Sequence, residues 1–294
     1  MTPGLALRAT AAAPPTQPRR AWRDGWRSGL SYGALGLPLA FVALPLYVVL
    51  PAHYATQFAM PLAWLGALML AVRLFDAVVD PWLGQLCDRA FARAPQRVLP
   101  VAWGAAALLA TAFYGLFFPP VQGLHALLGW CAAMLVLAYL GYSALGIVHQ
   151  AWGARLGGDA AQRARIVSWR EGLSLTGVLL ASALATSLGP GVTAAVLALA
   201  LVMGLVGLQH APRALDGVEA QMPIARAKPD ALANRSFRRL LAVYLLNGIA
   251  SAIPATLVLF FVRDRLQAPA WEPLFLGSYF LAAALALPLW TRAV

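Results

Sequence analysis

The chain has 294 residues, of which 61% are hydrophobic and 11% are charged, and its mean hydropathy is +0.71. A soluble domain carries roughly 25% charged residues, so this composition excludes a soluble enzyme, a disordered chain and a nucleic-acid-binding domain. It predicts an all-α integral membrane protein that is surrounded by membrane lipid.

The net charge of +11 comes from 22 basic and 11 acidic residues, and their distribution decides what it means. The basic residues lie mostly in short segments between long apolar runs. This is the pattern of loops retained on the cytoplasmic side of a membrane and not of a basic binding face. We therefore expect no nucleic-acid partner.

The apolar runs, split by proline- and glycine-containing turn signals, predict eight membrane-spanning helices, since ~20 residues suffice for one span. In chain order they lie at 29–50, 61–87, 99–118, 124–148, 170–187, 192–210, 240–262 and 273–291. Residues 1–27 are rich in proline, alanine and arginine and predict a disordered cytoplasmic tail.

With the N-terminus on the cytoplasmic side, 19 of the 22 basic residues fall on that side. We therefore predict a multi-pass protein of the inner (plasma) membrane with a cytoplasmic N-terminus. Cys87 and Cys131 are the only cysteines and lie within predicted helices, which argues against a disulfide. The scattered histidines show no metal-ligand spacing, and no metal site is expected beyond a possible sodium ion.

The second predicted helix contains three charged residues, Arg73, Asp76 and Asp80. At 100° per residue they share one face of the helix. Each charge would cost ~2.5–3.5 kcal/mol at the bilayer centre, so that face is expected to meet protein or a water-filled cavity. One interpretation is a structural ion pair that fixes helix packing. We favour a functional one, in which a proton or a sodium ion neutralises the surplus carboxylate.

Two further groups of residues have both a structural and a functional interpretation. The segment from Trp152 to Arg170 is typical of a cytoplasmic loop with an interfacial tryptophan, although Arg170 and Glu171 also open the fifth helix and are placed to reach a central cavity. In the seventh helix, Asn247 is more often an interhelical hydrogen bond than a substrate contact.

Three separated motifs carry a resemblance to a known family. They are Arg73-Leu-Phe-Asp76-Ala-Val-Val-Asp80-Pro-Trp-Leu-Gly84, the segment from Ala151 to Gly172, and the segment from Asn234 through Asn247 to Thr256. Together they make residues 28–294 resemble the glycoside–pentoside–hexuronide:cation symporters of the major facilitator superfamily, which include the melibiose permease.

The resemblance implies roles for four residues. Asp76 and Asp80 would be the cation-coupling carboxylates and Arg73 their partner, while Arg170 would line the substrate cavity. We predict that Trp152, Tyr244 and Asn247, which lie in the matching motifs, also line this cavity. At the positions of two carboxylates that bind the sugar in the family, this chain has Ala40 and Val148, which favours a more apolar or amphipathic solute. Val79 stands where the melibiose permease has a sodium-binding asparagine, which favours protons.

The resemblance also implies a domain organisation. The family fold has twelve helices in two halves, so we expect a chain truncated to about eight of them. Residues 28–211 would form the N-terminal six-helix bundle, 212–239 the cytoplasmic central loop, and 240–294 the first two helices of an incomplete C-terminal bundle.

Three functions remain open from the sequence. The first is cation-coupled symport of a small solute by alternating access, without a cofactor and without an obligate protein partner. The second is a non-transporting, truncated remnant of such a carrier. The third and weakest is an intramembrane prenyltransferase-like enzyme, because Asp76 and Asp80 imitate only half of its paired aspartate motifs.

Overall fold

The computed structural model describes residues 22, 25–93, 97–156, 159–187, 189–212 and 233–268, and isolated residues between 271 and 289.

The first membrane helix is interrupted by prolines. Helices α1 (Trp26–Gly33), α2 (Gly36–Leu44) and α3 (Leu50–Gln57) follow one another, with a π-helical turn at Pro45–Val49 between α2 and α3. Proline has no N–H, so Pro51 cannot bond the carbonyl of Tyr47, and the regular ladder breaks here. The N–H of Leu50 instead bonds the carbonyl of Pro45.

Six long helices follow. They are α4 (Leu62–Arg93), α5 (Val98–Phe117), α6 (Leu124–Ala154), α7 (Ala160–Ser187), α8 (Gly189–His210) and α9 (Arg235–Phe260), and a π-helical turn at Phe261–Arg265 extends the last one. The described residues contain no β-strand. The predicted all-α fold class is thus confirmed, and its apolar helices are those of a multi-pass membrane protein.

Four segments among the described residues are long and apolar enough to cross a membrane: Trp26–Tyr47, Val98–Phe117, Leu124–Ala154 and Gly189–His210. Helices α4, α7 and α9 are also longer than 20 residues but contain several charged residues. The predicted eighth helix, 273–291, lies mostly outside the described residues.

Most of the helices pack against two or more others. Helix α5 packs along α6, α4 also packs against α6, α2 packs on α7, and α1 lies against both α7 and α8. Glycines allow close approaches between helices: a Cβ built on Gly141 of α6 would lie 2.7 Å from the carbonyl oxygen of Ala105 in α5. This packing turns toward α6 the face of α4 that carries Asp76.

Several helices run beyond their predicted ends. Helix α4 continues to Arg93, α6 to Ala154, and α7 starts at Ala160, where the sequence predicted loops at 88–98 and 149–169. Helix α1 begins at Trp26, inside the segment predicted as a tail, and Trp22 is buried edge-on against Tyr32. The rest of that tail, residues 1–21, and most of the central loop, residues 213–232, lie outside the described residues, and the domain boundaries stay predictions.

Candidate functional site

Helix α4 separates its charged residues from its exposed apolar residues. Asp76 is only 5% exposed and is thus among the few buried charged residues, whereas Leu74, Val78 and Trp82 on the same helix are 63%, 67% and 68% exposed. The apolar side chains therefore form the outer surface of the helix, and the carboxylate of Asp76 faces protein. This is the arrangement that the cost of a charge in lipid demands.

Both carboxylate oxygens of Asp76 accept hydrogen bonds. Arg73 donates from Nη1 to Oδ2 over 3.2 Å, and Ser143 of α6 donates from Oγ to Oδ1 over 2.9 Å. Hydrogen bonds from charged and neutral donors offset the desolvation of a buried carboxylate. Each oxygen of Asp76 therefore has one donor, from its own helix in one case and from the neighbouring helix in the other.

The guanidinium of Arg73 also lies over two aromatic rings. Its Cζ is 5.0 Å from the ring centroid of Tyr47, in the π-helical turn of the first helix, and 4.6 Å from that of Tyr139 in α6. Both distances are within the ~6 Å range of cation–π attraction. Three structural elements thus converge on Arg73.

Asp80, one helical turn after Asp76, differs from it in hydrogen bonding. Its Oδ1 is buried and has no hydrogen-bond partner among the described residues, and the hydroxyl of Tyr139 is in the same condition. Buried polar atoms almost always have a partner, so each unpaired one calls for an explanation. A carboxylate oxygen without a donor is a place where a proton or a small cation can bind.

Sequence reasoning identified the residues of α4 but missed their partners Ser143, Tyr139 and Tyr47. Tyr139 and Ser143 are four residues apart in an apolar stretch of α6, so they share one face of that helix. That spacing was a usable signal for a polar face in α6. Nothing in the sequence of the first helix singles out Tyr47, because its position depends on the π-helical turn.

Two of the predicted cavity residues lie at helix contacts. Arg170 pairs with its neighbour Glu171 through Nη2–Oε1 at 2.6 Å and Nε–Oε1 at 3.0 Å. Its backbone carbonyl packs close to Gly36 of α2. Trp152 is 3% exposed and donates its indole N–H to the carbonyl of Pro212 over 3.0 Å. The indole N–H of Trp152 is therefore already bonded within the protein.

The other two predicted cavity residues lie on α9. Tyr244 is 74% exposed and Asn247 is also exposed, so the structure does not pack either of them into the core around Asp76. The assignment of Arg170, Trp152, Tyr244 and Asn247 to a substrate cavity stays a prediction.

Two further contacts tie α6 to its neighbours. Asp88 near the end of α4 pairs with Arg155 just after α6 at 3.3 Å, and the guanidinium of Arg155 lies 4.2 Å from the ring of Phe91. Deeper in the bundle, Tyr32 of α1 donates its hydroxyl to the carbonyl of His149 over 3.2 Å, and Nε2 of His149 lies 2.8 Å from the carbonyl oxygen of Tyr32. These contacts fix α6, which supplies Ser143 to Asp76, against α4 and α1.

Comparisons with known proteins agree on one class. The model of the family described as "MFS/sugar transport protein" matches residues 31–294. A protein of Escherichia coli (strain K12) named "Putative glycoside/cation symporter YagG" is 26% identical over 159 residues, which are 54% of this chain and 34% of that protein. The "Inner membrane symporter YicJ" of the same organism is 26% identical over 156 residues, 53% of this chain and 33% of that protein. The matched segment thus spans about a third of the length of these relatives.

Proposed function

The chain belongs to the MFS/sugar transport protein family, and from that membership we propose that it moves a small solute across the membrane by alternating access, coupled to a cation that binds at Asp76 and Asp80. Membership in a transporter family favours this function over the prenyltransferase-like enzyme. The similarity to proteins named as symporters supports coupling to a cation.

The observation that carries the proposal is the difference between the two carboxylates. Asp76 accepts bonds from Arg73 and Ser143, while Oδ1 of Asp80 is buried without a donor among the described residues. One guanidinium therefore neutralises one carboxylate, and the other carboxylate keeps an oxygen without a donor, which a proton can occupy. Binding and release of that ion change the charge inside the bundle, which is how a local event biases a conformational equilibrium.

We propose a proton as the coupling ion. A sodium ion needs several oxygen ligands, and the residue that precedes Asp80 is the apolar Val79, which offers no side-chain oxygen. A proton needs only one carboxylate oxygen. The oxygens of Asp76 are already engaged, so a sodium ion at Asp80 would have to compete with Arg73 and Ser143 for them.

The proposed solute is a small molecule with an apolar portion. Val148 is buried in α6, and Ala40 in α2 offers a methyl group, so neither position supplies an acceptor for sugar hydroxyls. We further propose that the protein lies in the inner (plasma) membrane with a cytoplasmic N-terminus, on the charge distribution given above.

Uptake by the full chain in membrane vesicles tests the proposal, with radiolabelled methyl β-glucoside and phenyl β-glucoside as probes. Under an imposed pH gradient we expect phenyl β-glucoside to accumulate more than methyl β-glucoside. Asp80→Asn and Asp76→Asn should each abolish gradient-driven accumulation and leave the protein in the membrane. Asp159→Asn is the matched control, because asparagine caps α7 as well as aspartate does and the position is exposed. Unchanged accumulation in both helix variants would refute the proposal.

A further inference from the structure

The guanidinium of Arg73 is held from two sides by residues outside its own helix. Its Cζ lies 5.0 Å from the ring of Tyr47 and 4.6 Å from the ring of Tyr139. We propose that Tyr47 and Tyr139 are positioning residues of the cation site, which keep Arg73 against Asp76 and so leave Asp80 free to take the ion. This inference rests on the proposed function, because it assigns how the same site divides its two carboxylates.

The ion pair needs such support. Arg73 reaches Asp76 through one nitrogen at 3.2 Å, and its side chain is 42% exposed. An arginine side chain loses considerable rotamer freedom when it is fixed, and a single hydrogen bond to a partly exposed guanidinium offsets little of that loss. Two aromatic faces add attraction without adding a competing acceptor, because the ring and not the hydroxyl makes each contact. The hydroxyl of Tyr139 has no partner among the described residues, which agrees with a role for the ring.

The two tyrosines lie on elements near Arg73 of α4, namely α6 and the π-helical turn of the first helix. Tyr139 lies one turn before Ser143 on the face of α6 that meets Asp76. Tyr47 lies in the π-helical turn, a local structure that often occurs at functional sites.

Few other charged or titratable groups face this position from the elements packed against α4. Asp76 and Asp80 lie on α4 itself, Tyr139 and Tyr142 are on α6, and the histidine nearest to the turn, His53 of α3, contacts the carbonyl of Phe117. Helix α5 contains no acidic or basic residue. Within the described part of the chain, Arg73 is thus the cation that the two tyrosines can hold against Asp76.

Carbodiimide labelling tests the inference without a solute. Dicyclohexylcarbodiimide reacts with protonated carboxyl groups in an apolar environment, and mass spectrometry of the labelled full-length protein measures the reaction at Asp76 and at Asp80 separately. In the unmodified protein we expect the label mainly at Asp80, with a yield that falls as the pH is raised.

Substitutions at the tyrosines should redistribute the label. Tyr47→Leu and Tyr139→Leu remove an aromatic face, loosen the pair and should raise the labelling of Asp76 relative to Asp80 by about threefold or more. Tyr47→Phe keeps the face and should behave as the unmodified protein. Tyr114→Leu is the control, since Tyr114 of α5 stacks on Phe118 and is exposed.

A graded series separates cation–π attraction from packing. Phenylalanines with one, two or three ring fluorines at position 47 keep the shape of the ring but weaken its negative face stepwise, so the Asp76 share of the label should rise stepwise. An unchanged ratio in both leucine variants and in the fluorinated series would overturn the inference. Absence of pH-dependent label at both aspartates in the unmodified protein would overturn the cation site itself, and with it the proposed function.

Discussion

Burial of the Asp76 carboxylate costs desolvation free energy, and hydrogen bonds from the residues around it offset that cost. It accepts one bond from a cation on its own helix and one from Ser143 on α6, and its side chain is 6% exposed. A buried ion pair of this kind contributes little net stability, but loss of one partner is costly because it strands the other. Two substitutions follow from this asymmetry.

Removal of the Ser143 hydroxyl should destabilise the protein. Ser143→Ala leaves Oδ1 of Asp76 without its donor, and hydrogen bonds to charged groups contribute about 1.5–3 kcal/mol. Denaturant-induced unfolding of the detergent-purified protein measures the loss. Thr111→Val is the control, since the hydroxyl of Thr111 is exposed and bonds only its own helix. A free energy of unfolding equal to that of the control would contradict the role of Ser143.

Removal of Arg73 should cost more, and a second substitution should restore much of the loss. Arg73→Ala strands the carboxylate of Asp76, and we expect about 2–3 kcal/mol, between the values for surface and buried pairs, because Arg73 is 42% exposed. Asp76→Asn added to Arg73→Ala removes the stranded charge. The same unfolding measurement then completes a double-mutant cycle. A double variant that is no more stable than Arg73→Ala would show that the two side chains do not interact.

At the scale of single residues, the sequence predicts the charged residues of the site, Arg73, Asp76 and Asp80, but not their uncharged partners. A charged residue inside an apolar helix can be singled out from the sequence, because the large free-energy cost of a charge in lipid implies that it faces protein or water. The partners are not visible, since Ser143 and Tyr139 acquire their roles only when α6 crosses α4 at one particular rotation and height. Those two quantities are set by packing and not by helix periodicity.

At the scale of the helix, close packing depends on residues without side chains. A Cβ on Gly141 of α6 would lie 2.7 Å from the carbonyl oxygen of Ala105 and 2.9 Å from the backbone nitrogen of Leu109, both in α5. Backbone atoms cannot rotate away as a side chain does. The α5–α6 contact therefore requires glycine at this position.

Gly141→Ala should consequently force α5 and α6 apart. We expect a loss of about 1–3 kcal/mol, as in other overpacked cores. Gly146→Ala, five residues further along the same helix, meets no atom within 4 Å and should gain up to about 1 kcal/mol from helix propensity. Thermal unfolding of the two variants in the same detergent compares them. Equal unfolding temperatures would show that the α5–α6 contact tolerates a methyl group at position 141.

The helix positions follow well from hydropathy, and their ends do not. The prediction of a helix at 99–118 agrees with Val98–Phe117, whereas the helix predicted at 61–87 runs to Arg93 and the one at 170–187 starts at Ala160. The two predicted ends lie next to the predicted loops 88–98 and 149–169, which are rich in charge. The helices continue into these segments because arginine, alanine and glutamine are good helix formers in water or at a headgroup.

At the scale of the whole molecule, the contacts join the first helix to helices that lie far along the chain. Helix α1 lies against α7 and α8, and its Tyr32 is joined to His149 of α6 by reciprocal hydrogen bonds. Neighbours in space are thus distant in sequence. No pattern in the sequence predicts which helices pair, since every apolar face is compatible with lipid or with another helix.

The orientation of the bundle is a separate prediction that cysteine labelling can check. Gln122→Cys, between α5 and α6, should react with a membrane-impermeant maleimide in intact cells, and Ala160→Cys, at the start of α7, should react only after permeabilisation. Both positions are exposed, and the native Cys87 and Cys131 are buried, which keeps the background low. The reverse labelling pattern would place the N-terminus outside.

The π-helical turn at Pro45–Val49 also sets the rotation of everything that follows it in the first helix. A π-helical turn accommodates one residue more than an α-helical turn, and each residue of a helix turns its successor by about 100°. Deletion of a single residue here would therefore convert the turn to an α-helical one and keep the buried Leu50 and Tyr54 facing the protein, whereas the same deletion in a regular part of the helix would rotate the residues after it by about 100°. In this stretch the loss of one residue changes the type of turn, and a sequence alignment that places a one-residue gap within Pro45–Val49 keeps the faces of the following helix in register.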